Sequence, residues 1–232
     1  MKTKRSEYIR VEHLTTSFKL PHGRRLVAVD DLSFNIYHGE ILGVVGESGS
    51  GKSVMAKSLL QLVPPPGTID SGKVFLNGVD ILTYSDKEMR SNIRGTEISM
   101  IFQEPMSALN PSFSVKWQIE EVLRLHTTLN KQERYERVLD LLRKVSIPDP
   151  EKRMKEYPHQ FSGGMQQRVL IAIALASSPR LLIADEPTTA LDVTVQADIM
   201  DFLEGMRQND GPSILLISHN LNLVTERSDR IM

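Results

Sequence analysis

Between an apolar run, Ile41, Leu42, Val44 and Val45, and a helix-forming stretch, Val54 to Leu62, stands GESGSGKS at positions 46 to 53. No other feature limits the fold so tightly, because the pattern G-x-x-x-x-G-K-S needs a buried strand before it and a helix after it. Gly46, Gly49 and Gly51 free the backbone to wrap an anion, and Glu47, Ser48 and Ser50 fill the loop whose amide hydrogens face phosphate oxygens. Lys52 adds a point charge for β and γ phosphates. Ser53 begins the helix, where its hydroxyl can ligate Mg²⁺ and the helix end favours negative charge. A glycine turn on a surface loop is the plainer reading, and the order strand, loop, helix argues against it.

A second apolar run, Leu181 to Ala184, closes on Asp185 and Glu186. It reads as a strand buried on both faces of a parallel sheet, with ligands held off its carboxyl end. Two acids there suit phosphoryl chemistry: Asp185 for magnesium, Glu186 to orient or deprotonate the attacking water. Taken alone they would be an acidic cap on the next helix.

FSGGMQQR at 161 to 168 resembles the signature segment of ATP-binding cassette (ABC) proteins, with Phe161 and Met165 where the common form has Leu and Gln. The resemblance implies ATP as the nucleotide. It also implies that Ser162, Gly163 and Gly164 start a helix facing the γ phosphate held by another subunit, an anion site used in trans. The family's other elements follow in order. Gln103 stands where the glutamine touching Mg²⁺ and the attacking water belongs, Asp192 in the loop crossing the dimer interface, and His219 at the switch histidine. Singly these read as a strand-end amide, a helix cap and a structural histidine. Phe18 falls where an aromatic ring stacks on adenine, or else fills the core of the first strand.

FQEPMSALNP at 102 to 111 and ADEPTTALDVTVQ at 184 to 196 resemble the ATPase subunits of bacterial peptide and nickel importers. That likeness implies a second ATPase subunit, identical or related, transmembrane permease subunits, and indirectly a substrate-binding protein. It places the chain at the cytoplasmic face of the membrane. Trp117 and Phe113 either line the surface that accepts a permease coupling helix or fill the core of the helical segment. Ser228 to Met232 fall where similar proteins begin another strand, so the family's last strands and C-terminal extension are expected to be missing, leaving apolar surface and an open sheet edge.

The fold expected is therefore α/β: a P-loop core with a mixed central sheet, an antiparallel β subdomain and an inserted helical subdomain over 104–160, all in one ABC domain spanning 1–232. Ile9 and Val11, Leu32, Phe34 and Ile36, then Val74 and Leu76 alternate as antiparallel strands do. Asn130 with Glu133 reads as a capping box opening a helix through Tyr135, Val138, Leu139, Leu142 and Val145, which removes the apparent guanine-reading motif and a GTPase with it. Twenty-eight basic against 29 acidic residues give a net charge of −1 and no footprint for nucleic acid. The absence of cysteine excludes a disulfide framework. No window is apolar enough to span a bilayer and no signal-peptide core follows Met1, so the chain reads as soluble or peripheral. No coiled-coil arm is present, which argues against the chromosome and DNA-repair branch. The rival readings are a non-transport cassette ATPase and a shortened nucleotide-binding module with little turnover.

Overall fold

A computed structural model describes residues 6–102, 108–188, 193–207 and 211–232. In chain order its main elements are β1 Glu7–Lys19, β2 Arg25–Tyr37, β3 Ile41–Val45, α1 Lys52–Leu59, β4 Gly67–Leu76, β5 Val79–Asp80, β6 Ile98–Ile101, α2 Val115–His126, α3 Lys131–Lys144, α4 Gly163–Leu175, β7 Leu181–Asp185, α5 Val193–Arg207, β8 Ser213–Ser218, α6 Leu221–Arg227 and β9 Arg230–Ile231. They form two compact units, Met1–Arg94 with Ser213–Met232, and Gly95–Pro212.

In the first unit β2, β1, β4 and β5 make an antiparallel sheet in that order. Alternation drives it: Ile9, Val11, Ile36, Val74 and Leu76 are buried, while Arg10, Asn35 and Phe75 stay partly exposed. The ladder is interrupted between Val11 and Leu14, where His13 and Asp31 both take left-handed backbone (φ 52° and 47°) and meet through Nδ1 and Oδ1 at 2.7 Å. This bulge re-phases the pleat, so Leu14 returns to the buried face.

The same unit holds β3 in parallel register with β8 on one side and β9 on the other. Both long strands are continuous apolar runs, buried throughout apart from the end of β3, as a strand covered on both faces must be. Helix α6 packs on β3 at Gly43, where an added Cβ would lie 2.3 Å from Val224 Cγ1. Just before β3, Glu40 is only 1% exposed, and Arg230 donates to both of its oxygens at 3.1 and 3.3 Å while the Tyr37 amide donates at 2.7 Å. Arg230 also donates to Asn35 Oδ1 and lies over the Tyr37 ring.

In the second unit β6 and β7 run parallel, Ile98 beside Leu181 through Ile101 beside Ala184. Helix α2 starts at Ser114, whose hydroxyl accepts from the Trp117 amide, and buries Val115, Ile119 and Leu123 on one face. Val122, two turns beyond Val115, is only half-buried and lines a cleft. Helix α3 opens on the predicted capping box: Asn130 Oδ1 accepts from Gln132 and Glu133, and Glu133 accepts from the Asn130 amide. Helix α4 is apolar nearly all round, which fits its burial among α2, α3 and β6. No helix among the described residues is long and apolar enough to cross a membrane.

Candidate functional site

The phosphate loop leaves the end of β3 and delivers the chain to α1. Gly51 sits at the helix N-cap in left-handed backbone, φ 91°, and a Cβ there would lie 2.0 Å from the Ala28 carbonyl oxygen, so only glycine fits twice over. Gly46 is less confined: a Cβ there would crowd only the Ser50 Oγ, at 2.9 Å, a side-chain atom that can turn away. Lys52 curls back over the loop: its Nζ donates to the Gly46 and Glu47 carbonyls at 2.7 Å each and to Ser50 Oγ at 3.3 Å. The ammonium is thereby held over the concave side of the loop. Glu47, Ser48, Gly49 and Ser50 are exposed, and Ser53 is half-buried in the first turn of α1.

Parallel pairing brings His219 to this end of the sheet. Val45 lies opposite Ser218, so Gly46 and His219 are the next residues on neighbouring strands. His219 is exposed, and Asn220 behind it caps α6 by accepting from the Leu223 amide. Phe18, near the end of β1, pairs with Leu26 and Gly67, and its half-buried ring fills the space a Gly67 side chain would need, 2.6 Å from that Cβ position. The ring is therefore seated by a close backbone approach and keeps part of its surface open.

The acidic pair lies in the second unit. Asp185 ends β7 and is 2% exposed; Glu186 follows at φ 48°, a left-handed conformation that costs a non-glycine residue energy and is found at functional sites. Sequence patterning placed the pair correctly at a strand end but carried no signal for that backbone. Ser162 caps α4 with extended backbone, its hydroxyl accepting from the Met165 amide at 3.4 Å, and both Ser162 and Gly163 are exposed. Gly164 faces Val195 on α5, whose Cγ1 would be 2.9 Å from a Cβ. Arg168 holds this helix by donating to the Val145 carbonyl and to Asp198. Gln103 and Asp192 lie outside the described residues.

Phe113 and Trp117 stack, centroids 3.9 Å apart and planes 13° from parallel, on the wall of a cleft of about 440 Å³ that Phe102, Val122 and Ile173 also line. Neither ring is fully buried. Among the described residues no group of three or more His, Asp or Glu is gathered to hold a metal by itself.

Comparison with known proteins points to one family. The chain is 47% identical over 224 residues to the oligopeptide transport ATP-binding protein OppD of Bacillus subtilis, covering 96% of the chain and 62% of that protein. It is 49% identical over 205 residues to the dipeptide transport ATP-binding protein DppD of Escherichia coli, covering 88% and 62%. The chain thus spans about three fifths of the length of these relatives. Among solved structures, the dimeric post-hydrolysis state of the ATP-binding cassette MJ0796, bound to ADP and Pi, superposes with a TM-score of 0.83 at 29% identity over 97% of this chain and 93% of that one. With the family model for the ABC transporter matching residues 29–189, this chain belongs to the ABC transporter family.

Proposed function

We propose that the chain is the ATP-binding and ATP-hydrolysing part of an importer that takes up peptides, with nickel or another small solute as the second candidate. The observation that carries the reading is the presence of two separate helix N-termini fit for phosphate. One is the glycine loop that Lys52 covers, and the other is the exposed Ser162–Gly163 start of α4. A single nucleotide needs only the first, so the second serves a nucleotide held by a partner. Two cassettes, identical or related, then close head to tail over two ATP molecules. Each nucleotide is held by Gly46 to Ser53 of one subunit and capped by Ser162 to Gly164 of the other. Asp192 belongs to the contact between them.

In this reading Phe18 stacks on adenine. The Ser53 hydroxyl and the Asp185 carboxylate are hard oxygen donors suited to Mg²⁺, too few to form a cage alone, which fits a cation that arrives with the triphosphate. Gln103 adds a further donor. Glu186 takes a proton from the attacking water, or orients it, and His219 donates to the γ phosphate. ATP favours the closed pair because it binds that state more tightly than the open one, and hydrolysis removes the bridge. Closure drives a permease whose coupling helix occupies the cleft walled by Phe113 and Trp117. The working position is the cytoplasmic face of the inner membrane.

The test is ATP binding and phosphate release by the purified chain. Glu186→Gln retains nucleotide and loses hydrolysis by about a hundredfold or more; turnover near that of the unmodified chain removes Glu186 from the role of base. Lys52→Ala weakens ATP binding, and unchanged affinity refutes the loop assignment.

A further inference from the structure

We propose that Thr16 and Ser58 are positioning residues that fix the reach between the base-side ring of Phe18 and the phosphate loop; this rests on the reading of Phe18 given above. Both side chains are completely buried and 42 residues apart, one on β1 and one on α1, with their hydroxyl oxygens 2.9 Å from each other. Ser58 Oγ donates its proton to the Val54 carbonyl at 2.8 Å, so it can only accept from Thr16, and the bond has a single direction. An apolar pair would hold strand and helix together nearly as well, since a buried hydroxyl pair keeps only a modest net gain after its own desolvation. What the polar pair adds is register. A hydrogen bond tolerates only a narrow range of distance and angle, whereas apolar surfaces slide.

The two ends of the site hang from this bond. Phe18 stands two residues beyond Thr16 on the strand, and Lys52 and Ser53 begin the helix that carries Ser58. A second contact pins the same place. Opposite Thr16 and Ser17, β2 pairs through Val29 and Val27, which leaves Ala28 as a bulged extra residue, and it is the Ala28 carbonyl oxygen that closes on Gly51. The hairpin therefore touches both the phosphate loop, through Ala28, and its helix, through Thr16, so a shift along α1 disturbs two contacts at once. Arg25 braces the strand end by donating to Ser17 Oγ at 2.8 Å and to Asp70 at 2.6 Å. A fixed spacing of this kind is preorganisation for a ligand of one length.

The experiment measures dissociation constants for MgATP and for magnesium tripolyphosphate, which has the charge of the tail and no base. The unmodified chain is compared with Phe18→Ala, Ser58→Ala, Thr16→Val with Ser58→Ala, and the triple variant. The Thr16→Val, Ser58→Ala pair makes both partners apolar and regains most of the stability that either single change loses. If these residues set the spacing, that double variant lowers the preference for ATP over tripolyphosphate by about threefold to tenfold, the worth of one hydrogen bond, and the triple variant is no worse than Phe18→Ala. A purely structural role would leave the preference unchanged in the double variant while Phe18→Ala lowers it, and that result overturns the proposal. A preference unmoved by Phe18→Ala itself refutes the stacking role of the ring and, with it, this proposal.

Discussion

Replacing Arg230 by Met tests how the first unit is locked. Glu40 is 1% exposed, and with Arg230 gone its carboxylate would keep only the Tyr37 amide as a donor among the bonds described above. Removing one partner of a buried ion pair costs about 3–5 kcal/mol. Arg230 is itself 43% exposed, so screening by water lowers the worth of the pair, and about 2–3 kcal/mol is the figure to test. For a chain of this size that is a fall in Tm of roughly 5–10 °C. The assay is thermal and urea unfolding followed by circular dichroism. An asymmetry sharpens it. Glu40→Gln frees an arginine that can turn to water and still offers an oxygen to the Tyr37 amide, so it costs less than Arg230→Met. The double variant recovers most of the loss. A cost for Arg230→Met below about 1 kcal/mol, or Glu40→Gln proving the worse of the two, would refute an account based on an uncompensated buried charge.

Gly51→Ala is predicted to abolish ATP binding with little loss of helix content, because the new methyl meets the Ala28 carbonyl at 2.0 Å while φ stays near 91°; calorimetry checks it. Asn130→Ala removes both side-chain bonds to the start of α3 and should lower stability by about 1 kcal/mol, read from the urea midpoint. Burial beside Gly95 holds the His126 imidazole below its ordinary pKa. The folded chain therefore binds that proton less readily than the unfolded chain. The stability is present above about pH 6.5 and is lost as pH falls through the unfolded value toward the folded one. Unfolding midpoints between pH 8 and 5 should decline, and His126→Gln should flatten the part that this group supplies.

The phosphate loop was readable because glycine, lysine and serine each have one physical reason to stand where they do, and the flanking apolar runs fixed strand and helix around them. Ser162 as a helix start came from the resemblance of FSGGMQQR to the family's signature segment, and the structure supplies the physical reason, its hydroxyl capping α4. Antiparallel β1, β2 and β4 followed from period-two spacing; the His13 and Asp31 bulge shows in that spacing only as Leu14 standing one residue out of phase with Ile9 and Val11, a mark too short to tell a bulge from the end of a strand. The left-handed backbone at Glu186 was equally invisible, because surrounding packing imposes it on a residue that would not choose it. For Phe113, just ahead of α2, and Trp117, in its first turn, a docking surface and a core stayed equally open in the sequence, because whether they met a core or an open cleft depended on partners far along the chain, such as Ile173. The bond between Thr16 and Ser58 joins residues whose local sequence gives no hint of each other.

The pairing of Val45 with Ser218 makes strand length a ruler. A one-residue deletion anywhere in Ile214 to Ile217 would draw the His219 imidazole back by about 3.3 Å and point it through the opposite side of the sheet. Point substitutions among those aliphatic positions that keep volume would leave it in place. The gene can therefore drift in composition here and cannot drift in count, whereas the exposed turn at Pro21 to Arg24, which aims nothing at the phosphate loop, is free to lengthen.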